Sequence, residues 1–371
     1  MKQLLNKEKW LNHAHFWRFS QVYAYLLRSM RMLGRLGTQS RTAKRYRSQF
    51  YEKVWREAAD ELGANVKIAE KGIIEIRRGN REVQVHNNRT QLDSTETIRL
   101  SRNKVTVRTI LRSSPLPTPN DAEFSLREME QAYHFLAQYR RCVVKPAYGT
   151  GAGSGITTGV EDRHQLFRAA LRAGGYCSRM LIEEEVEGDT IRLLYLDGQL
   201  LDAVRRHPPT IIGDGRSSIR QLVDNLNLQR LNAGYSLAQS ILKYDMDMEL
   251  TLKRQGTSWR SVPCDGERVV LKGVINDNMA SENVSVAGEI NESIIAAGRL
   301  ASELIGVRLA GVDIITQDIG RDLKETGGKI LEVNTTPGYH YHYFTRNGTC
   351  RVAVPILEAC LKNCEYVFRK V

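Results

Sequence analysis

The stretch that most constrains this chain is residues 143–156, Val-Val-Lys-Pro-Ala-Tyr-Gly-Thr-Gly-Ala-Gly-Ser-Gly-Ile. A short β-branched run ends at Lys145, and Gly149, Gly151, Gly153 and Gly155 then alternate. Alternating glycines weaken a strand and cannot pack a core. They do let the backbone approach an anion closely and turn its N–H groups towards it. Lys145 adds a point charge at the strand end, and the guest that suits such a loop is a nucleoside triphosphate. No Gly-Lys-Ser/Thr closes the run, so it is not a P-loop. Its first glycine opens no helix, which excludes the dinucleotide-binding fingerprint. On its own the loop is equally compatible with a plain hairpin turn.

The 371 residues suit two or three domains or subdomains. No apolar run reaches membrane-spanning length, and the basic N-terminus lacks a signal-peptide core and cleavage site. The cysteines at 142, 177, 264, 350, 360 and 364 form no Cys-x-x-Cys pair. They read as reduced thiols of a cytoplasmic protein. The net charge is +12, and residues 1–50 carry 11 Lys/Arg against the single acid Glu8. Residues 7–47 read as a basic, aromatic helix interrupted at Gly34 and Gly37. Such a helix packs its aromatic face on its own domain or a twin subunit. It also suits an anionic membrane or nucleic acid, so contact through residues 1–47 stays open.

Residues 50–63 predict an amphipathic helix, followed by strand-like runs at 65–69, 72–77 and 81–86. Together they suggest a small α/β N-terminal domain over residues 1–100, carrying the basic helical extension. The prolines of 115–119 mark a crossing between elements. Further helices are expected over 103–113, 126–139, 161–173, 216–231, 287–305 and 352–368. Strands are expected over 142–146, 181–186, 191–196, 199–205, 312–316 and 329–333. An α+β architecture with mixed antiparallel sheets fits this order better than alternating βαβ units.

A triphosphate needs magnesium, and magnesium takes hard oxygen ligands. Asp313 stands inside the apolar run Gly-Val-Asp-Ile, and Glu332 and Asn334 stand in Ile-Leu-Glu-Val-Asn, ahead of Pro337-Gly338. Positions two apart in a strand share a face. Acids inside apolar strands need a partner, which favours a metal set over water-facing edge acids.

These pieces, in this order, resemble the ATP-grasp superfamily, most of all the ATP-grasp module of cyanophycin synthetases. Glutathione synthetases and D-alanine–D-alanine ligases are also similar. The ordered set is Asn103-Lys104, Val-Val-Lys-Pro with its glycine loop, Leu-Ile-Glu-Glu-Glu-Val-Glu-Gly, Gly-Val-Asp-Ile, and Glu-Val-Asn-x-x-Pro-Gly. The stretch from Ile191 through Arg205-Arg206 to Gly213-Asp214-Gly215 is particularly like the cyanophycin module. The resemblance implies two α+β subdomains clasping ATP, over residues 101–185 with the lid and 186–371 with the metal site and a C-terminal helix. It implies Lys104 and Lys145 on the phosphates, Gly149, Gly151, Gly153 and Gly155 as the lid, and Glu183, Glu184 and Val186 at the adenine edge. Asp313, Glu332 and Asn334 would bind two magnesium ions. Lys272 would stabilise the transferring phosphate, with Asn276 nearby. Where the family has a ribose-binding acid this chain has Thr190, and Asp189 is the substitute. A glycine-rich segment of the family is replaced by residues 277–283. No second ATPase module follows, so two-step polymer elongation is not implied.

The implied activity is an ADP-forming carboxylate–amine ligase that takes amino acids or short peptides as substrates, and the expected assembly is a homo-oligomer, a dimer or tetramer. Arg192, Arg205 and Arg206 are expected to face the cleft, with Arg216 in the Gly-Asp-Gly loop; arginine suits a substrate carboxylate. Each alone is equally compatible with a surface ion pair. Arg206 joins Lys272 and Asn276 as a candidate catalytic group. His340 and His342 could line an amine pocket, a histidine helping to deprotonate the nucleophile, or could simply pack with the surrounding tyrosines. Two other readings are a kinase-type phosphoryl transfer and an ATP-regulated module that binds membrane or nucleic acid.

Overall fold

A computed structural model describes residues 38–69, 72–150, 153–232, 241–275 and 282–363. The expected helical run over 7–37, Gly151 and Asn276 lie outside them. Helix α1 (Thr38–Glu61) begins before the expected residue 50. Its buried Phe50, Tyr51, Val54, Trp55, Ala58 and Ala59 recur at i, i+4 and i+8, one face of a helix. Gly63, at φ +64°, follows its end. The meander β1 (Asn65–Ile68), β2 (Ile74–Arg78) and β3 (Arg81–Val85) comes next.

Helix α2 (Thr95–Ser101), not anticipated from sequence, is capped by Ser94, and α3 (Lys104–Arg112) by Asn103. The proline crossing leads into β4 (Asp121–Phe124), too short to announce itself in the sequence. Then come α4 (Met129–Tyr139), β5 (Cys142–Pro146), β6 (Thr157–Val160), α5 (Arg163–Gly174) and β7 (Met180–Glu184). They form a four-stranded sheet in the order β4-β7-β5-β6, with α4 and α5 on its core. The glycine loop joins β5 to β6.

A central sheet begins with β8 (Asp189–Leu196) and β9 (Gln199–Arg206). A small unit follows: β10 (Thr210–Ile212), α6 (Ile219–Asn232), α7 (Met246–Arg254) and β11 (Arg268–Val270), around its own apolar cluster. Helix α7 and the β10–β11 pair were not anticipated. The chain returns through β12 (Asn283–Ser285), α8 (Glu292–Ile305), β13 (Leu309–Thr316), α9 (Leu323–Thr326) and β14 (Lys329–Thr335). The short α10 (His340–Tyr343) and α11 (Ala353–Lys362) close the described chain.

The central sheet runs β12-β9-β8-β13-β14, and every strand pair among the described residues is antiparallel. The molecule is therefore α+β. Ile191, Leu193 and Tyr195 share a core with α8. Leu194 and Leu196 turn the other way, into a core shared with α1, β2, β3 and α11. The face of the sheet that bears Leu194 is the one that bears the site.

Candidate active site

Two local devices bring the lysines together. Asn103 caps α3 by accepting from Thr106 N at 3.2 Å, and the Lys104 N–H donates to Ala147 O at 3.1 Å. The start of α3 is thereby tied to the residues just after Lys145. Lys104 Nζ lies 3.5 Å from Glu332 Oε1, and Lys145 Nζ lies 3.9 Å from the same oxygen and 2.7 Å from Glu183 Oε1. The loop beyond Lys145 needs its glycines: Gly149, Gly153 and Gly155 have φ of +75°, +67° and +83°. A Cβ on Gly155 would meet Pro146 Cγ and Tyr176 Cδ2 at 2.8 Å.

Arg108, one turn beyond Lys104, completes this side. It is buried, with Nη2 2.8 Å from Glu183 Oε1, Nε 3.1 Å from Asp121 Oδ2 and Nη1 donating to Ile330 O at 3.2 Å. It thus joins α3, β4, β7 and β14 at one point. Burial alone would raise the Glu183 carboxyl, but Lys145 and Arg108 hold it below the ordinary carboxylate range. That carboxylate is committed to its cations, so at the expected adenine edge it leaves the backbone of 184–186. The Glu184 side chain accepts from Asn120 N at 2.9 Å and from Asn120 Nδ2 at 3.2 Å, and Val186 follows the end of β7.

The opposite wall is a row across the central sheet. Strand register pairs Glu332 with Asp313, Asp313 with Arg192, and Arg192 with Val204. Cross-strand partners share a face, so Glu332, Asp313 and Arg192 stand side by side. Asn334 is two residues along β14 on that same face. Arg192 grips Asp313 with both ends of its fork, Nε to Oδ1 at 2.6 Å and Nη2 to Oδ2 at 2.8 Å. Asn334 Nδ2 donates to Asp313 Oδ2 at 3.0 Å. Burial pushes Glu332 up, but Lys104, Lys145, Arg192 and Arg108 outweigh it and bring its pKa to about 2. No group of three or more His, Cys, Asp or Glu is placed to hold a metal among the described residues. Two carboxylates and a carboxamide oxygen are nonetheless a hard donor set that fits magnesium. Asp313 would contribute through lone pairs that Arg192 leaves, since a carboxylate has about four such sites.

Adjoining this wall, Arg206 stacks over the Tyr341 ring at 4.0 Å and Arg192 lies 5.6 Å from it. His342 is fully buried, its Nδ1 2.7 Å from Asp202 Oδ2, and Ser285 Oγ donates to Asp202 Oδ1 at 2.9 Å. A carboxylate only accepts, so Nδ1 carries the proton and Nε2 presents its lone pair. Among the described residues, Nε2 is buried with no hydrogen-bond partner. Burial, with Arg47, Arg206 and Arg192 nearby, holds His340 well below the ordinary imidazole range.

The remaining expected residues have these contacts. Arg205 does not face the cleft with Arg192 and Arg206. It registers with Ile191 on the opposite side of the sheet and lies 3.4 Å from Asp189, because neighbours along a strand point to opposite faces. Asp189 alternates with Ile191 and is on that side too. Lys272 is buried against Asp245 at 2.9 Å, beside Arg172 at 2.7 Å from the same carboxylate oxygen. Arg216 is exposed in a loop where Asp214 accepts from the Arg216 and Ser217 backbone N–H groups at 2.9 and 2.6 Å. An open groove of about 860 Å³ on the small unit, with Tyr244 and Trp259, shares Asp245 with these contacts.

With this geometry in view, the comparisons with known proteins are specific. No family model matches the chain. It is 31% identical to the cyanophycin synthetase of Trichormus variabilis over 271 residues, 72% of this chain and 30% of that protein. It is 27% identical to the glutathione biosynthesis bifunctional protein GshAB of Clostridium perfringens over 267 residues, 71% of this chain and 34% of that one. Among solved structures, a bifunctional glutathione synthetase from Pasteurella multocida shares the fold, with a TM-score of 0.52 at 22% identity. That likeness covers 81% of this chain and 42% of the other. The chain shares the fold of that glutathione synthetase. It is a low-identity homologue of these synthetases and spans about a third of the length of the curated relatives it matches. The motifs expected from sequence fall on the glycine loop, β7, β13 and β14. Arg108, Asp121 and Asp202 are the site residues that sequence reading missed. For Arg108 a signal existed: a cation four residues from Lys104, flanked by apolar Val107 and Leu111 on the buried face of α3.

Proposed function

We propose that the chain is an ATP-dependent, ADP-forming ligase that activates a carboxylate as its acyl phosphate and joins it to an amine. The observation that carries this is the convergence of Lys104 and Lys145 on Glu332, beside Asp313 and Asn334, at the mouth of a glycine hairpin. Cations that neutralise phosphate and oxygens that suit magnesium are the two halves of a phosphoryl-transfer site.

In this reading Lys104 and Lys145 exchange part of their contact with Glu332 for phosphate oxygens, and the glycine hairpin closes over them. Glu332, Asn334 and Asp313 would hold magnesium, two ions on the family pattern, which would neutralise charge on the transferring group. Arg206, held flat on Tyr341, binds the substrate carboxylate with Arg192. That carboxylate takes the γ-phosphoryl group as the bond to ADP breaks; the amine nitrogen then attacks the acyl carbon and phosphate leaves. His342, fixed by Asp202, takes the amine proton at Nε2 once substrate entry opens the packing that covers it. The substrates belong to the class of amino acids and short peptides.

The test is ADP release from magnesium-ATP against pools of amino acids and short peptides, with mass spectrometry of the products. Release that needs both a carboxylate and an amine, with a product lighter than their sum by one water, is expected. Release with a phosphorylated acceptor that accumulates whether or not amine is present would replace the ligase by a kinase.

A further inference from the structure

The turn that follows Asn334 is gripped by the N-terminal part of the chain. Thr336 has φ +50°, a left-handed conformation that a β-branched side chain rarely takes. The next residue is proline, which has no N–H. The carbonyls of both are held by one side chain: Asn88 Nδ2 donates to Thr336 O and, at 3.3 Å, to Pro337 O. Asn88 is itself fixed, because Trp55 Nε1 of α1 donates to Asn87 O at 2.8 Å. On the far side of the turn the Tyr339 N–H donates to the Tyr51 hydroxyl oxygen at 3.2 Å. At its start, the Ser101 and Thr335 hydroxyl oxygens are 3.0 Å apart.

We infer that the N-terminal unit, through Asn88, positions Asn334 in the proposed metal site. Packing of Tyr51 and Trp55 on Tyr339 would by itself suffice to dock α1 on the turn. It does not account for an amide aimed at the carbonyl of the one strained residue between Asn334 and Pro337. The left-handed conformation disfavours an ordinary residue by roughly tenfold or more. Asn88 offsets this by holding the carbonyls where that conformation puts them. With Asn88 gone, Thr336 relaxes, and the end of β14 turns Asn334 away from Asp313. A donor misplaced by about an ångström is enough to weaken a metal site. Asn88 is thus a positioning residue: it touches neither nucleotide nor ion.

The inference rests on the magnesium-ATP reading above, and the experiment separates the two. ATP binding to the full chain is titrated calorimetrically over a range of Mg²⁺ concentrations, for wild type, Asn88→Ala and Asn88→Asp; melting is followed without ligand. Asp has the shape of Asn but no N–H to give, and it is the second variant should the alanine form fail to fold. In either variant the half-saturating Mg²⁺ is expected to rise about tenfold, with ATP affinity at saturating Mg²⁺ within twofold of wild type. Adding Thr336→Gly, which adopts the turn without strain, is expected to restore the Mg²⁺ dependence. A lowered melting temperature with unchanged Mg²⁺ half-saturation overturns the inference alone. ATP binding that ignores Mg²⁺ in the wild type overturns the metal reading and this inference with it.

Discussion

Glu332 is the residue on which most of the proposed chemistry turns, and its environment makes it testable by acid. Its carboxyl sits at about 2 instead of 4.5 because four cations outweigh the effect of burial. A depressed carboxylate stabilises the fold fully above its unfolded pKa, and the contribution is lost as pH falls towards the folded value. The difference in unfolding free energy between wild type and Glu332→Gln is therefore expected to be constant above about pH 5 and to shrink between about 4.5 and 2. Denaturant titrations across that range measure it. A constant difference down to pH 2 would mean that the lysines do not hold the charge. In ligase assays the same variant should lose about 100-fold or more in ADP release, since even indirect partners of a metal cost 10–100-fold. Asp202 offers a second residue-level test. Burial lowers the His342 pKa and Asp202 partly restores it, so the acid limb of kcat should fall below the ordinary imidazole value. Asp202→Asn removes the restoring charge and the tautomer lock. It should move that limb further down and cut kcat by up to about 10⁴-fold with KM for ATP unchanged.

At the scale of elements, the lysines meet because α3, β5 and β14 are locked in mutual register, and Arg108 is the lock. Its guanidinium ties α3 to β4, β7 and β14 from a position with almost no solvent contact. Removing one partner of a buried ion pair leaves charges uncompensated, at a cost of about 3–5 kcal/mol. Arg108→Ala should lose that much in urea unfolding and should weaken ATP binding, although Arg108 was not among the expected phosphate contacts. The glycine hairpin makes a finer test. Alanine at Gly155 places a methyl 2.8 Å from Pro146 and Tyr176 and imposes φ +83° on a residue with a Cβ. The expected result is a loss of at least about 1–2 kcal/mol. KM for ATP should rise, because Pro146 follows Lys145 directly. Equal kinetics and stability in this variant would show that the hairpin is free to take another path.

Across the whole molecule, legibility followed the range of the interaction. Strand β14 could be read because two polar residues two apart inside an apolar run fit only one face of a strand. The hairpin could be read because four alternating glycines allow little else. Asp202 could not be paired with His342, 140 residues away, nor Asn88 with Thr336, 248 residues away. Nothing local in either segment announces the other. Arg205 differs for a local reason: it adjoins Arg206 along β9, and adjacent strand positions face opposite sides of the sheet. The N-terminal unit shows the same dependence on distance. Phe50, Tyr51 and Trp55 of α1 pack with Tyr339, Tyr343 and α11 in one core with Leu194 of the central sheet. This unit is continuous with the wall that bears Asp313 and Glu332, so the site should not survive its loosening. Trp55 is fully buried, and truncating such a side chain costs about 3–5 kcal/mol. In Trp55→Ala, ATP binding and the core should melt in a single transition at a lower temperature, seen by calorimetry and by a bound fluorescent nucleotide. Two separated transitions, with nucleotide retained after the first, would mean that residues 38–101 are an appendage and that the site stands on the other sheets alone.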